Sequence, residues 1–179
     1  MRHLMVDIET LGIQPDAAFF NIGVVPFDIE TGESGEGYAS YIDLNTIDNT
    51  KFSYSPGTIK FWFNELDKNK HYLENGGITM QSVLIGVNEF IRKTFDIIPF
   101  KIWSKSPSFD LTILKHALNV YSLPILWEYF DELDVRTMEF LNKAAYLEAY
   151  NNFKQHDGLQ DCYAQIKGIS AVYRSLKIV

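Results

Sequence analysis

The chain has 179 residues, 46% of them hydrophobic and 15% aromatic, enough for one domain, 1–179, that buries roughly 70% of the surface its unfolded form exposes. A formal net charge of −7 argues against a protein that grips long duplex nucleic acid through a basic surface. The lone cysteine, Cys162, excludes an internal disulfide and leads us to expect a reducing, cytoplasmic setting.

In chain order, the apolar stretch His3-Leu4-Met5-Val6-Asp7-Ile8-Glu9 predicts a strand over 3–9, and a second strand follows over 19–28. Because the first segment is itself a strand carrying Asp7, no removable signal peptide is expected. The acidic turn Glu30-Thr31-Gly32-Glu33-Ser34-Gly35 leads into a third strand near 37–43. Ser55-Pro56 opens a helix, with serine as N-cap and proline at its first position, that runs through Ile59, Phe61, Trp62 and Phe63. Three adjacent aromatics cannot share one helix face, so some of them must enter the core.

Helical spacing of Val83, Leu84, Val87, Phe90 and Ile91 predicts a helix over 79–94, followed by a strand over 97–103. Helices are then expected over 110–120, 136–150 and 159–176. Strands first, then alternating helix and strand, predict an α/β fold with a mixed sheet flanked by helices. Apolar runs end well short of the ~20 residues a membrane span needs, and no repeat, low-complexity stretch or linker interrupts the chain.

Asp7 and Glu9 lie two positions apart in a strand, so both carboxylates project from one face. Carboxylates that close resist joint ionisation unless a cation sits between them. Asp110 follows Phe109 and precedes the apolar Leu111-Thr112-Ile113-Leu114, and His156-Asp157-Gly158-Leu159-Gln160-Asp161 opens the last helix. Taken singly, these are an exposed strand face, a helix cap and a turn. In this order and these settings they make one acidic constellation with a histidine. His3, His71 and His116 lack metal-site spacing and read as surface or packing residues; Cys162, directly after Asp161, reads as a small packing residue.

The constellation resembles the DEDDh 3′-to-5′ exonucleases, named for four acidic residues and a histidine on a ribonuclease H-like fold. Asp7-Ile8-Glu9-Thr10-Leu11-Gly12 is similar to that family's first motif, and Ile22-Gly23-Val24-Val25-Pro26-Phe27-Asp28 to the strand after it. The segment Trp103-Ser104-Lys105-Ser106-Pro107-Ser108-Phe109-Asp110 is similar to the second motif, and His156 with Asp161 to the last. Asp134-Val135-Arg136-Thr137 is similar to a segment of the branch that includes exonuclease VIII and small phage exonucleases. The chain departs from the family at Ser104, Lys105 and Ser106, where glycine or asparagine is usual, and at Gly158 and Cys162, where alanine is common.

The resemblance implies a ribonuclease H-like, mixed five-stranded sheet. It implies metal ligands at Asp7, Glu9, Asp110 and Asp161 for two magnesium or manganese ions, and His156 as the base that deprotonates the attacking water. Thr10, Leu11, Gly12 and Phe109 would meet the terminal nucleotide, with Leu11 wedged against the last base. The activity expected is removal of nucleoside monophosphates from the 3′ end of single-stranded nucleic acid, leaning to DNA, with RNA ends or short oligoribonucleotides as the alternative.

A catalytically silent nucleic-acid-binding module is the rival from another class; it has no need of a costly carboxylate cluster. Charge distribution also bears on the substrate. Residues 1–50 carry one basic and nine acidic residues (−8), and residues 51–179 carry 15 basic and 14 acidic (+1). Divalent ions at the carboxylates would become the local attractors for phosphate. A homodimer is expected only because so small a domain offers little surface for gripping a strand.

Overall fold

The computed structural model describes residues 1–65, 77–150 and 156–176, so His71 lies outside the described residues. Five strands form one sheet: β1 (His3–Thr10), β2 (Phe19–Phe27), β3 (Tyr38–Tyr41), β4 (Lys101–Ser104) and β5 (Glu132–Asp134), in the order β3-β2-β1-β4-β5. The first three form an antiparallel meander, whereas β4 and β5 run parallel to β1, so the sheet is mixed. The described helices are α1 (Pro56–Asn64), α2 (Met80–Phe95), α3 (Asp110–Val120), α4 (Val135–Leu141), α5 (Lys143–Tyr150) and α6 (Gly158–Leu176). Among them none is long and apolar enough to cross a membrane.

Period-two alternation in β1 sorts its side chains between two cores. Leu4, Val6 and Ile8 join the cluster built with α2 and α3, while Met5 joins Val25, Phe27, Trp103 and the inner face of α6. Asp7 and Glu9 continue the Met5 side, so the carboxylates emerge where α6 begins. That approach is very close: a Cβ on Gly23 would fall 2.3 Å from the backbone of Gly158, and one on Gly158 would fall 2.7 Å from Asn21 Oδ1 and 2.8 Å from Gly23 N. Two facing glycines therefore let the start of α6 rest on β2. Gly158→Ala should accordingly destabilise by about 1–3 kcal/mol, as overpacking does, a loss readable in denaturant melts, even though alanine is common at this place in the family the sequence resembles.

Boundaries differ most from the sequence expectations in two places, each for a local reason. Strand β4 starts at Lys101 rather than 97, because pairing with β1 begins at His3↔Lys101 and Ile97 and Ile98 stand exposed in the preceding turn. The helix expected over 136–150 is two helices. Asn142 leaves the helical conformation, accepts from the Ala145 amide and donates to Ser175, as a short polar side chain that competes for backbone partners does. The helix α3 begins at Asp110 as expected, with Phe109 in the cap position. The fifth strand, only three residues long, is capped into α4 by Asp134, whose carboxylate accepts from the Arg136 and Thr137 amides.

Candidate active site

Three elements converge on one cavity of about 310 Å³, lined by Asp7, Ile8, Glu9, Lys105, Tyr150, His156, Asp161 and Gln165. Strand β1 supplies Asp7 and Glu9. The first turn of α6 supplies Asp161, and one oxygen each from Asp7, Glu9 and Asp161 falls within 4.8 Å of the others. Asp110, 5% exposed at the start of α3, stands outside that trio yet exerts the largest charge repulsion on Asp7.

The loop into α6 is folded around Asp161. Its Oδ2 accepts the backbone amides of His156 (2.8 Å) and Asp157 (3.2 Å), while Asp157 Oδ1 accepts the Gln160 amide and caps the helix. The Tyr41 hydroxyl on Asp157 and the Gly158 amide on Asn21 Oδ1 tie this turn to the sheet. His156 is held at φ 64, a left-handed conformation that costs a non-glycine residue on the order of 1–3 kcal/mol. Its ring stands in T-shaped contact with those of Phe61 and Trp62, at 5.2 and 5.7 Å between centroids. Trp62 is buried and donates its indole N–H to the Thr10 carbonyl at 2.8 Å, so α1 braces both the histidine and the end of β1. Phe61 and Phe63 remain exposed, which divides the aromatic triplet between core and surface as expected.

The residues expected at the terminal nucleotide lie in the turn after β1 and beside α3. Thr10 donates its hydroxyl to the Gly12 carbonyl at 2.8 Å, Phe109 is half-buried, and Leu11 is 7% exposed and packs in the core. Leu11 therefore presents little side-chain surface to a base in this conformation. His3 accepts from the Trp103 indole, His116 bonds the Lys51 carbonyl, and Cys162 is buried against the Gly23 carbonyl, all packing roles.

Gln165 and Tyr150 were not singled out in the sequence. Gln165 Nε2 donates to Asp7 Oδ1 at 2.7 Å, and the Tyr150 hydroxyl reaches Asp161 Oδ1 at 3.4 Å. A signal for the first existed: Gln165 follows Asp161 by four, so both share one face of α6. Nothing local marked Tyr150.

Burial dominates the electrostatics. It pushes the Asp7 carboxyl well up, aided by the charges of Asp110, Glu9 and Asp161 and opposed by the Gln165 hydrogen bond. Burial, then Asp161, Asp157 and Asp110, raise Glu9 to about 8. Asp110 is raised by burial to about 7 against the pull of its own amide and the Ser104 hydroxyl, and Asp161 is raised by burial against the Asp157 and His156 amides. Four carboxyl groups that resist joint ionisation, with no thiol among them, fit a hard divalent cation such as magnesium or manganese.

Raised acids favour the folded state while protonated, so their contribution is complete below the unfolded values and is lost as pH rises from 4.5 to about 8 for Glu9 and from 3.8 to about 7 for Asp110. Melting midpoints in a chelator should fall across that window, and added magnesium should flatten the fall. A midpoint that rises instead would contradict the cluster's burial.

Residues 2–173 match the family model described as a 3′-5′ exoribonuclease Rv2179c-like domain. No curated protein sequence matches significantly. Among solved structures, exonuclease I from Methylocaldum szegediense superposes with a TM-score of 0.68 at 15% identity, over 97% of this chain and 40% of that one. E. coli exonuclease I in complex with a 5cy-dA13 oligonucleotide gives 0.65 at 16%, over 95% of this chain and 40% of that one. The nuclease domain of 3′hExo, a DEDDh family member bound to rAMP, gives 0.60 at 12%, over 98% and 92% of the two chains. The chain thus spans two fifths of the exonuclease I chains and nearly all of the 3′hExo domain, and these likenesses show the ribonuclease H-like fold.

Proposed function

Because the chain belongs to the Rv2179c-like 3′-5′ exoribonuclease domain family, we propose that residues 1–179 act as one cytoplasmic domain that trims RNA from its 3′ end to nucleoside 5′-monophosphates. The observation that carries this reading is one cavity holding Asp7, Glu9, Asp161 and His156, with Asp110 coupled to it by charge. The sequence resemblance leaned to DNA. The family's description favours RNA instead, and the rAMP-bound 3′hExo domain supports it, while exonuclease I with its oligonucleotide keeps DNA as the second reading.

Asp7, Glu9, Asp110 and Asp161 would hold two divalent ions, magnesium or manganese. Such ions would supply Lewis-acid charge at the scissile phosphate and would lower the pKa of the attacking water. His156 opens onto the same cavity and takes the proton of the attacking water. The T-shaped contacts with Phe61 and Trp62 limit the rotation of its ring, and its backbone N–H, fixed on Asp161, ties its position to that carboxylate. Gln165 keeps one oxygen of Asp7 engaged, which orients the other. Thr10, Gly12 and Phe109 would meet the terminal nucleotide, with Leu11, buried here, beside them in the chain.

Labelled RNA and DNA oligomers of one sequence, offered in equal amounts with magnesium or manganese, test the substrate. Faster loss of 3′ nucleotides from RNA supports the reading. Preference for DNA would move the assignment to the second reading, and binding of both without cleavage would support the silent module instead.

A further inference from the structure

Lys105 brings a positive charge to a cavity bordered by the three carboxylates of Asp7, Glu9 and Asp161. It occupies the loop after β4, where the family resembled by the sequence has small or amide residues. Arg136 Nε donates to Ser106 Oγ at 2.6 Å and so holds the loop, in which Ser106 sits at φ 109. The ammonium lies 5.1 Å from the Tyr150 ring centroid and 5.7 Å from that of Tyr146, an aromatic seat that favours a cation. Glu139 forms an ion pair with the ammonium at 3.9 Å, too long for a hydrogen bond, so the N–H donors stay open to a second anion. The lysine side chain stays 29% exposed, so an anion can reach it.

We infer that Lys105 is a phosphate-binding residue of this cavity: its ammonium, seated on Tyr150 and Tyr146, donates to a non-bridging oxygen of the phosphate that enters beside Asp7, Glu9 and Asp161. This rests on the reading of the cavity as an exonuclease site and adds a contact specific to this chain. A strongly acidic pocket repels the strand it must admit, and one fixed cation on its wall offsets that repulsion where the phosphate arrives. Charge that grows on the phosphate oxygens during hydrolysis strengthens the contact, so Lys105 acts on turnover as well as on binding.

Lys105→Gln and Lys105→Arg, with magnesium and an oligouridylate RNA, test this. The glutamine variant should lose about 10²-fold in kcat/KM, by analogy with loss of one electrostatic donor, and the arginine variant should recover most of it. Uridine 5′-monophosphate should inhibit the glutamine variant about tenfold more weakly, since a charged hydrogen bond is lost, while inhibition by uridine should not change. The salt dependence of kcat/KM should become shallower by ~0.7 in log–log slope, the value for one phosphate contact on a single strand. Unchanged melting midpoints would show that both variants are folded.

A glutamine variant as active as wild type, or one that weakens uridine and its monophosphate equally, would overturn the inference and leave the exonuclease reading standing. Tighter magnesium binding with an unchanged response to the monophosphate would make Lys105 only a counter-ion of the carboxylates, which also overturns it. A wild-type protein that neither cleaves the oligomer nor binds the monophosphate would remove the exonuclease reading, and the inference with it.

Discussion

Asp7→Asn should lose hydrolysis by on the order of 10³-fold or more, a larger effect than removing one electrostatic donor, while melting higher than wild type in chelator at alkaline pH. Asp7 sits at the centre of the constellation: its carboxyl is raised by burial and by three neighbouring acids, and Gln165 holds it on one side. Asparagine has nearly the same shape and keeps an oxygen for the Gln165 donor, so the core is not opened. It removes the charge that a divalent cation needs and with it the repulsion that Asp110, Glu9 and Asp161 exert at this position. Alanine would be a poorer test of stability, because the buried Gln165 amide would lose its acceptor, at a cost of about 1–3 kcal/mol. Addition of magnesium should raise the wild-type midpoint and leave that of the variant almost unmoved. Full nuclease activity in Asp7→Asn would remove the acidic cluster from the mechanism.

The second large effect is expected at His156. Substitution by asparagine should cost on the order of 10² to 10⁴ in rate, the range for loss of a general base, with magnesium affinity nearly unchanged. Asparagine is the better replacement because it tolerates the left-handed backbone that His156 adopts at φ 64. The variant also keeps the backbone N–H that Asp161 accepts. Calorimetry that showed the variant unable to bind magnesium would make His156 a ligand, and the proton transfer would need another group.

Much of this site was legible along the chain, for physical reasons that differ from residue to residue. Asp7 and Glu9 are two apart on a strand, and strand geometry alone puts them on one face. His156 and Asp161 are close in sequence, and Asp161 reaches back to the His156 amide within the same turn. Asp110 was recognised by motif resemblance rather than by spacing. Gln165 lies 158 residues from Asp7, and only the packing of α6 against β1 brings them together. The aromatic seat of Lys105 joins a loop and α5 that no local pattern relates. The short strand β5 offers three residues, too few for an alternation to be seen. Gly158 carried a different meaning in each view: in the sequence it was only a departure from the family's common alanine, but in the fold it is the surface that lets α6 touch β2.

The central claim is that four carboxylates and His156 remove nucleotides one at a time from a 3′ end with the help of a divalent cation. A single-stranded RNA labelled at its 5′ end, incubated with the wild-type protein in magnesium and sampled over time beside a circular strand of the same sequence, tests it most directly. The account predicts a ladder that shortens by single nucleotides, no product in chelator, and an intact circle. Internal cuts in the circle, or a ladder unaffected by chelator, would contradict it.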